Sequence, residues 1–199
     1  GKQELGSQVT DFGGTDSLVK PDEQATFKGG QFLYFPTVVA PITVSYNLPL
    51  KNLKLDGPTL AGIFSTQIKT WNDPKIAALN SGATLPSDPI QVCHRSDASG
   101  TTSNFTKYLL SAGGSAWTLG QGDTINWPAG TQAGQGNPGV AQCVKSKTGA
   151  VGYVDFADAK NANLAFAVVK NKNGDFVGPT LGGASKAAGG ATVAADLTY

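Results

Sequence analysis

The stretch Ile90-Gln-Val-Cys-His-Arg-Ser-Asp-Ala-Ser-Gly-Thr-Thr102 decides how this chain is read. Ile90 to Arg95 reads as a strand, a tight turn follows, and a helix starts at Ser99. Within Ser99–Ala112, the residues Phe105, Tyr108, Leu109 and Ala112 recur at i, i+3, i+4 and i+7, which is one face of a helix. The first-turn N–H groups of such a helix lack intrahelical partners, and its dipole favours negative charge there. A strand-to-helix turn of this kind is suited to binding an anion. Gly100 removes the Cβ that would block close approach, the Ser99 and Thr101 hydroxyls add donors, and Arg95 offers a planar fork to an oxyanion. The same residues also fit a plain helix start, with Ser99 as N-cap and Arg95 as a surface cation paired with Asp97. Local pattern leaves both readings open.

Working outward, strand and helix signals alternate, which predicts an α/β fold with a mainly parallel sheet. Val9 to Phe12 reads as a short strand entering the turn Gly13-Gly14, and Pro21 to Lys28 as a short helix opened by Pro and acids. Phe35 to Tyr46 reads as a long buried strand, interrupted by Pro36 and Pro41, where a hinge is expected. Asp56 and Asp73 each stand as N-caps before a proline in the first turn, opening helices through Phe64 and Leu79. Asn137-Pro138 caps a helix to about Lys147, closed by Gly149. Ala150–Val154 is a strand, Phe156–Asn161 a short helix and Leu164–Lys170 a strand. Asn173-Gly174 signals a hairpin to Phe176-Val177. Only the glycine- and alanine-rich run from Gly182 to Ala195 approaches low complexity, and there is no internal repeat.

Composition limits the function classes. The chain has 199 residues, 40% of them hydrophobic, enough for a substantial core. With 15 basic against 14 acidic residues, its net charge of +1 gives no reason to expect nucleic acid as a partner. No stretch is long and apolar enough to span a membrane, and no signal-peptide pattern is present, as in a mature or shortened chain. The single histidine and the spacing of Cys93 and Cys143 give no expectation of a zinc or iron site, and no cofactor motif appears.

Two further stretches have both bland and functional readings. Asp11-Phe-Gly-Gly-Thr-Asp16 is by itself a glycine turn with an aspartate able to cap it. His94, Asp97 and Ser99 invite a hydrolase reading. Neighbours in a strand point to opposite faces, however, so His94 should face away from Arg95 and pack in the sheet. Asn104-Phe105-Thr106 matches a glycosylation sequon on a helix face and is set aside.

Taken together, the motifs resemble the phosphate-binding proteins of bacterial ABC phosphate uptake systems, the PstS family. The resemblance runs in order through Lys2-Gln3 with Val9–Asp16, Phe35–Val39 with Val44–Asn47, Trp71–Asn80, His94–Thr102, Trp127-Pro128 with Gly136-Asn137, and Gly149–Val154. It implies a type II periplasmic-binding-protein-like fold with one complete lobe and part of a second. Residues 1–38 would be a partial lobe I segment carrying Asp16 and the hinge crossover, and 39–199 the lobe II domain with the anion loop.

It also implies a non-catalytic protein that binds inorganic phosphate for a membrane permease, in the periplasm or outside the cell, with a lipoprotein anchor in the precursor. Arg95 would grip phosphate in bidentate fashion, oriented by Asp97. Ser99, Gly100 and Thr101 would donate hydroxyl and backbone N–H bonds, and Asp16 would accept the proton that phosphate keeps. The family's remaining lobe I elements are not in this sequence, so they were removed or come from another chain. Cys93 and Cys143 either pair in an oxidising setting or stand as separate buried thiols. Two rival classes remain: a phosphatase or phosphoryl-transfer protein using the same loop, and a surface module that binds no ligand.

Overall fold

The structure is a computed structural model and describes residues 1–191. Its elements in chain order are α1 Lys2–Gly6, α2 Pro21–Gln24, β1 Ile42–Tyr46, β2 Lys54–Leu55, α3 Gly57–Phe64, α4 Pro74–Leu79, β3 Gln91–Arg95, α5 Gly100–Ala112, β4 Gln132–Gly134, α6 Gly136–Ser146, β5 Ala150–Asp155, α7 Phe156–Asn161, β6 Ala165–Phe166, β7 Val168–Lys170, β8 Phe176–Val177 and α8 Leu181–Gly189. The helix starts follow local chemistry. Asp56 accepts from Thr59 N at 2.9 Å and Asp73 from Lys75 N at 2.8 Å, each with a proline in the first turn.

The main sheet has five strands in the order β4-β3-β5-β1-β6. β3 runs parallel to both β4 and β5, while β1 is antiparallel to its neighbours β5 and β6. The expectation of a mainly parallel sheet therefore holds for strand direction but not for pairing, because β1 reverses between β5 and β6. Side-chain alternation builds a core on each face of this sheet. Val92, Val151 and Tyr153 point into the larger cluster with Leu60, Phe64, Phe105 and Leu109 of α3 and α5. Cys93, Ala150 and Val154 point the other way, under Val140, Ala141 and Val144 of α6 and Ala159 of α7. The result is a helix–sheet–helix layering in which β3 is covered on both faces and α5 packs on one of them.

Gly152 lets α6 sit close to the sheet, since a Cβ there would lie 2.9 Å from side-chain carbons of both Val140 and Val144. On the same face a disulfide joins Cys93 of β3 to Cys143 of α6 across a separation of 50 residues, with the Cα atoms 6.1 Å apart.

Several expected elements differ. Val9 to Phe12 is a bend rather than a strand, with Val9 and Phe12 exposed and, among the described residues, no neighbouring strand to pair with. Phe35 to Pro41 forms no regular element and pairs with no strand among the described residues, and only Ile42–Tyr46 of the expected long strand joins the sheet. Phe35 and Val38 are exposed there, and the two prolines remove ladder donors. The expected helix from Pro21 stops at Gln24. Leu164–Lys170 divides into β6, in the main sheet, and β7, which enters a second sheet of order β2-β7-β8. The expected hairpin is β7–β8, with Asn171 Oδ1 accepting from the backbone of Asn173 and Asp175 at 2.9 Å. Asn137 and Pro138 lie inside the first turn of α6, whose N-cap is Gln135. The glycine- and alanine-rich run begins as α8, and its end through Ala195 lies outside the described residues. Among the described residues, no helix is long and apolar enough to cross a membrane.

Candidate functional site: the turn between β3 and α5

Arg95 is the last residue of β3, and its parallel neighbours β4 and β5 end on the same side of the sheet. Its backbone N–H donates to Tyr153 Oη at 3.1 Å, and that hydroxyl shares a 2.7 Å hydrogen bond with Thr102 Oγ1 in the first turn of α5. The strand end and the helix start are thereby tied to one tyrosine of β5.

The Arg95 guanidinium is mostly buried and meets Asp97 through two parallel bonds. Nε donates to Asp97 Oδ1 at 2.8 Å, and Nη2 donates to Oδ2. Asp97 Oδ1 also accepts from Gly136 N, the first residue of α6, at 3.0 Å. The hydrogen bonds from Arg95 outweigh the effect of burial and hold the Asp97 carboxyl far below the usual carboxylate range. The same bonds push the Arg95 guanidinium up. A guanidinium has five N–H donors. Asp97 takes two along the Nε–Nη2 edge, so three have no partner among the described residues, including the pair on the Nη1–Nη2 edge that fits a second oxyanion.

Ser99 is the N-cap of α5, its Oγ accepting from Thr101 N at 3.1 Å. The cap occupies one donor of the helix start and not the others. The cap consumes the Thr101 N–H that the family resemblance gives to the anion. It leaves the Gly100 N–H and the Ser99 hydroxyl proton as donors at the helix end. Thr101 Oγ1 donates to Asp16 Oδ2 at 3.4 Å, and Asn104 Nδ2 donates to the Asp16 carbonyl at 2.7 Å. Asp16 lies directly against Gly100: a Cβ added there would stand 2.6 Å from Asp16 Cβ. The segment bearing Asp16 is also anchored by Lys2, whose Nζ reaches Asp123 Oδ2 at 2.8 Å and Glu23 Oε2 at 3.1 Å. All six residues singled out from the sequence, Asp16, Arg95, Asp97, Ser99, Gly100 and Thr101, are therefore brought to one place.

His94 is not among them. Its ring stacks on Trp127 with centroids 4.8 Å apart, and its nitrogens face the Arg95 carbonyl at 2.9 Å and Thr131 Oγ1 at 3.1 Å. The carbonyl can only accept, so Nδ1 carries a proton. Burial pushes the His94 pKa down against the opposing pull of that carbonyl. Neither Asp97 nor Ser99 touches the ring, so the three do not form a triad.

Sequence reasoning missed Asp155, Asn137 and Tyr153. Tyr153 and Asp155 lie two apart on β5, hence on one face, and Asn137 Nδ2 donates to Asp155 Oδ2. That alternation was the available signal. Among the described residues, no cluster of three or more His, Cys, Asp or Glu side chains is arranged to hold a metal.

The family model described as a PBP superfamily domain matches residues 1–198. The chain belongs to the PBP superfamily. Among its PBP relatives, the phosphate-binding protein PstS of Pasteurella multocida is 44% identical over 185 residues, covering 90% of this chain and 52% of the relative. The phosphate-binding protein PstS 3 of Mycobacterium leprae is 41% identical, covering 93% of this chain and 53% of that protein. The solved structure of PfluDING, a high-affinity periplasmic phosphate-binding protein bound with phosphate, superposes with a TM-score of 0.77 at 27% identity. It covers 98% of this chain and 60% of its own. The chain thus spans about half the length of the curated PBP relatives it matches. The PBP assignment carries the expected fold class with it.

Proposed function

We propose that this chain binds inorganic phosphate at the turn between β3 and α5, as part of the substrate-binding component of an ABC phosphate importer. The observation that carries the reading is the division of Arg95. One edge of its guanidinium is locked by Asp97, and the other makes no hydrogen bond among the described residues, in the same turn as the Gly100 N–H and Ser99 hydroxyl, with Asp16 packed on Gly100. A pre-oriented fork next to a helix N-terminus favours a tetrahedral oxyanion. A carboxylate beside the donors favours an oxyanion that still carries a proton, which phosphate does near neutral pH and sulfate does not. The names of the relatives support phosphate in particular.

In this reading residues 1–38 act as one wall of the site, carrying Asp16, and residues 39–199 as the other. The remaining donors come from further polypeptide, in the same protein or another chain. The partner is a membrane permease, the setting extracytoplasmic, with a lipid anchor on the precursor. The protein delivers its ligand rather than transforming it, which agrees with relatives named as binding proteins.

The test is a thermal shift series with phosphate, sulfate and molybdate. Stabilisation by phosphate alone is expected. Stabilisation by sulfate to the same extent removes Asp16 from its assigned role, and no stabilisation by any of the three overturns the site.

A further inference from the structure

Beyond Asp16, a second carboxylate stands at the mouth of the same turn. Asp155 is the last residue of β5. The parallel register of β3 and β5, with Cys93 opposite Gly152, brings Asp155 level with Ser96, just past Arg95. Its Oδ2 accepts from Asn137 in the first turn of α6, next to the Gly136 N–H that holds Asp97. One helix start therefore fixes both carboxylates. The charged groups that act most on Asp155 come from three elements around it: Asp16 from the N-terminal segment, Asp158 from α7, and Arg95 from β3. Burial and the Asp16 charge push the Asp155 carboxyl up, with Asn137 and Arg95 opposing.

We propose that Asp155 is a specificity-determining residue of the anion site, giving it, with Asp16, two carboxylate acceptors and a preference for the phosphate species that carries two protons. The proposal rests on the phosphate reading above. Around the turn stand one cation, Arg95, and three carboxylates, Asp97, Asp16 and Asp155, with the ion-paired cluster of Lys2, Asp123 and Glu23 beside them. Asp97 is neutralised by Arg95, and the α5 dipole adds only partial positive charge. A dianion entering this field meets two carboxylates that neutral side chains hold, Asp16 by Thr101 and Asp155 by Asn137, with one proton to share. A monoanion with two protons offers one hydrogen bond to each, and no proton needs to change owner. Like charges without a hydrogen between them are the costly arrangement that discriminates between ligands.

The experiment measures phosphate affinity by calorimetry from pH 5.5 to 8.5 in wild type, Asp155→Asn and Asp155→Ser, with circular dichroism confirming that each is folded. In wild type the affinity should fall as pH rises and phosphate loses its second proton. Removing the Asp155 charge should flatten that fall, improving binding at the alkaline end on the order of tenfold. An Asp16→Asn/Asp155→Asn double variant should accept sulfate more tightly than Asp16→Asn alone. Profiles that stay parallel in whichever Asp155 variant folds, while phosphate still binds, overturn this proposal and leave the phosphate reading standing. Absence of phosphate binding in folded wild type at every pH overturns the phosphate reading, and this proposal with it.

Discussion

Replacing Gly100 with alanine gives opposite outcomes for a plain helix cap and for an anion turn. Gly100 is the first residue of α5, where alanine has the better intrinsic helix propensity by up to about 1 kcal/mol. If the turn were only a helix start, Gly100→Ala would be neutral or stabilising. In the structure, however, the added Cβ would stand 2.6 Å from Asp16 Cβ, 2.8 Å from Asp16 C and 2.9 Å from Asp16 Cα, where ordinary contact begins near 3.4 Å. Backbone atoms cannot rotate away, so the Asp16 segment must retreat by roughly 0.8 Å or more. That retreat strains the 2.7 Å bond from Asn104 and the already long 3.4 Å bond from Thr101. At about 0.5–1.5 kcal/mol net for each hydrogen bond, the loss exceeds the propensity gain and leaves a destabilisation of about 1 kcal/mol. The same methyl group covers the approach to the Gly100 N–H, so phosphate affinity should drop by about tenfold or more. Urea unfolding followed by far-UV circular dichroism gives the first quantity, and phosphate calorimetry the second. A variant more stable than wild type with unchanged phosphate affinity would falsify both the packing of Asp16 on Gly100 and the anion role of the turn.

Three other perturbations probe the surroundings of the site. Reducing the Cys93–Cys143 disulfide opens a link spanning 50 residues, for which the chain-entropy relation gives about 4 kcal/mol; the urea midpoint should fall accordingly on adding reductant, and an unchanged midpoint would mean the bridge adds nothing. Asp97→Asn removes the partner that orients Arg95 and weakens the tie to Gly136, so stability should drop by about 1–3 kcal/mol and phosphate binding should weaken as well; a change in stability alone would separate Asp97 from the site. His94 has a folded pKa below its ordinary 6.5, so the unfolded chain binds more protons between the two values. Its contribution is therefore full above pH 6.5 and is lost as pH falls through the folded value. The slope of stability against pH across 5 to 7 should flatten in His94→Gln, and an unaltered slope would assign it to other groups.

What was legible in the sequence depended on how local each cause is. Helix α5 and its Ser99 cap follow from residues within one or two turns of each other, and so do the starts at Asp56 and Asp73. Phe35 to Pro41 has strand composition, but pairing needs a neighbour, and here the run pairs with no strand among the described residues. Leu164–Lys170 has the pattern of one strand, yet Ala167 N bonds to Val44 O and Val168 N to Leu53 O, which sends its two ends to different sheets. Arg95, Asp97 and Ser99 were readable as a unit because they fall within five residues of one turn. Asp16 is 85 residues from Thr101, and no spacing argument joins them; only the family resemblance placed it there. Asp155 was missed because its position comes from the register of β5 against β3. The division of donors between the Ser99 cap and the anion was equally invisible, since sequence does not say which N–H a hydroxyl will take.

The most direct test of the site is a pair of calorimetric titrations, phosphate and sulfate, on wild type and on Asp16→Asn. Buried like-charge contact costs several kcal/mol, which corresponds to about a thousandfold in affinity. Saturable heat with phosphate, none with sulfate, and a gain of sulfate binding in Asp16→Asn are expected. Equal binding of the two anions by wild type, or no heat with phosphate, would contradict the assignment of this turn as a phosphate site guarded by Asp16.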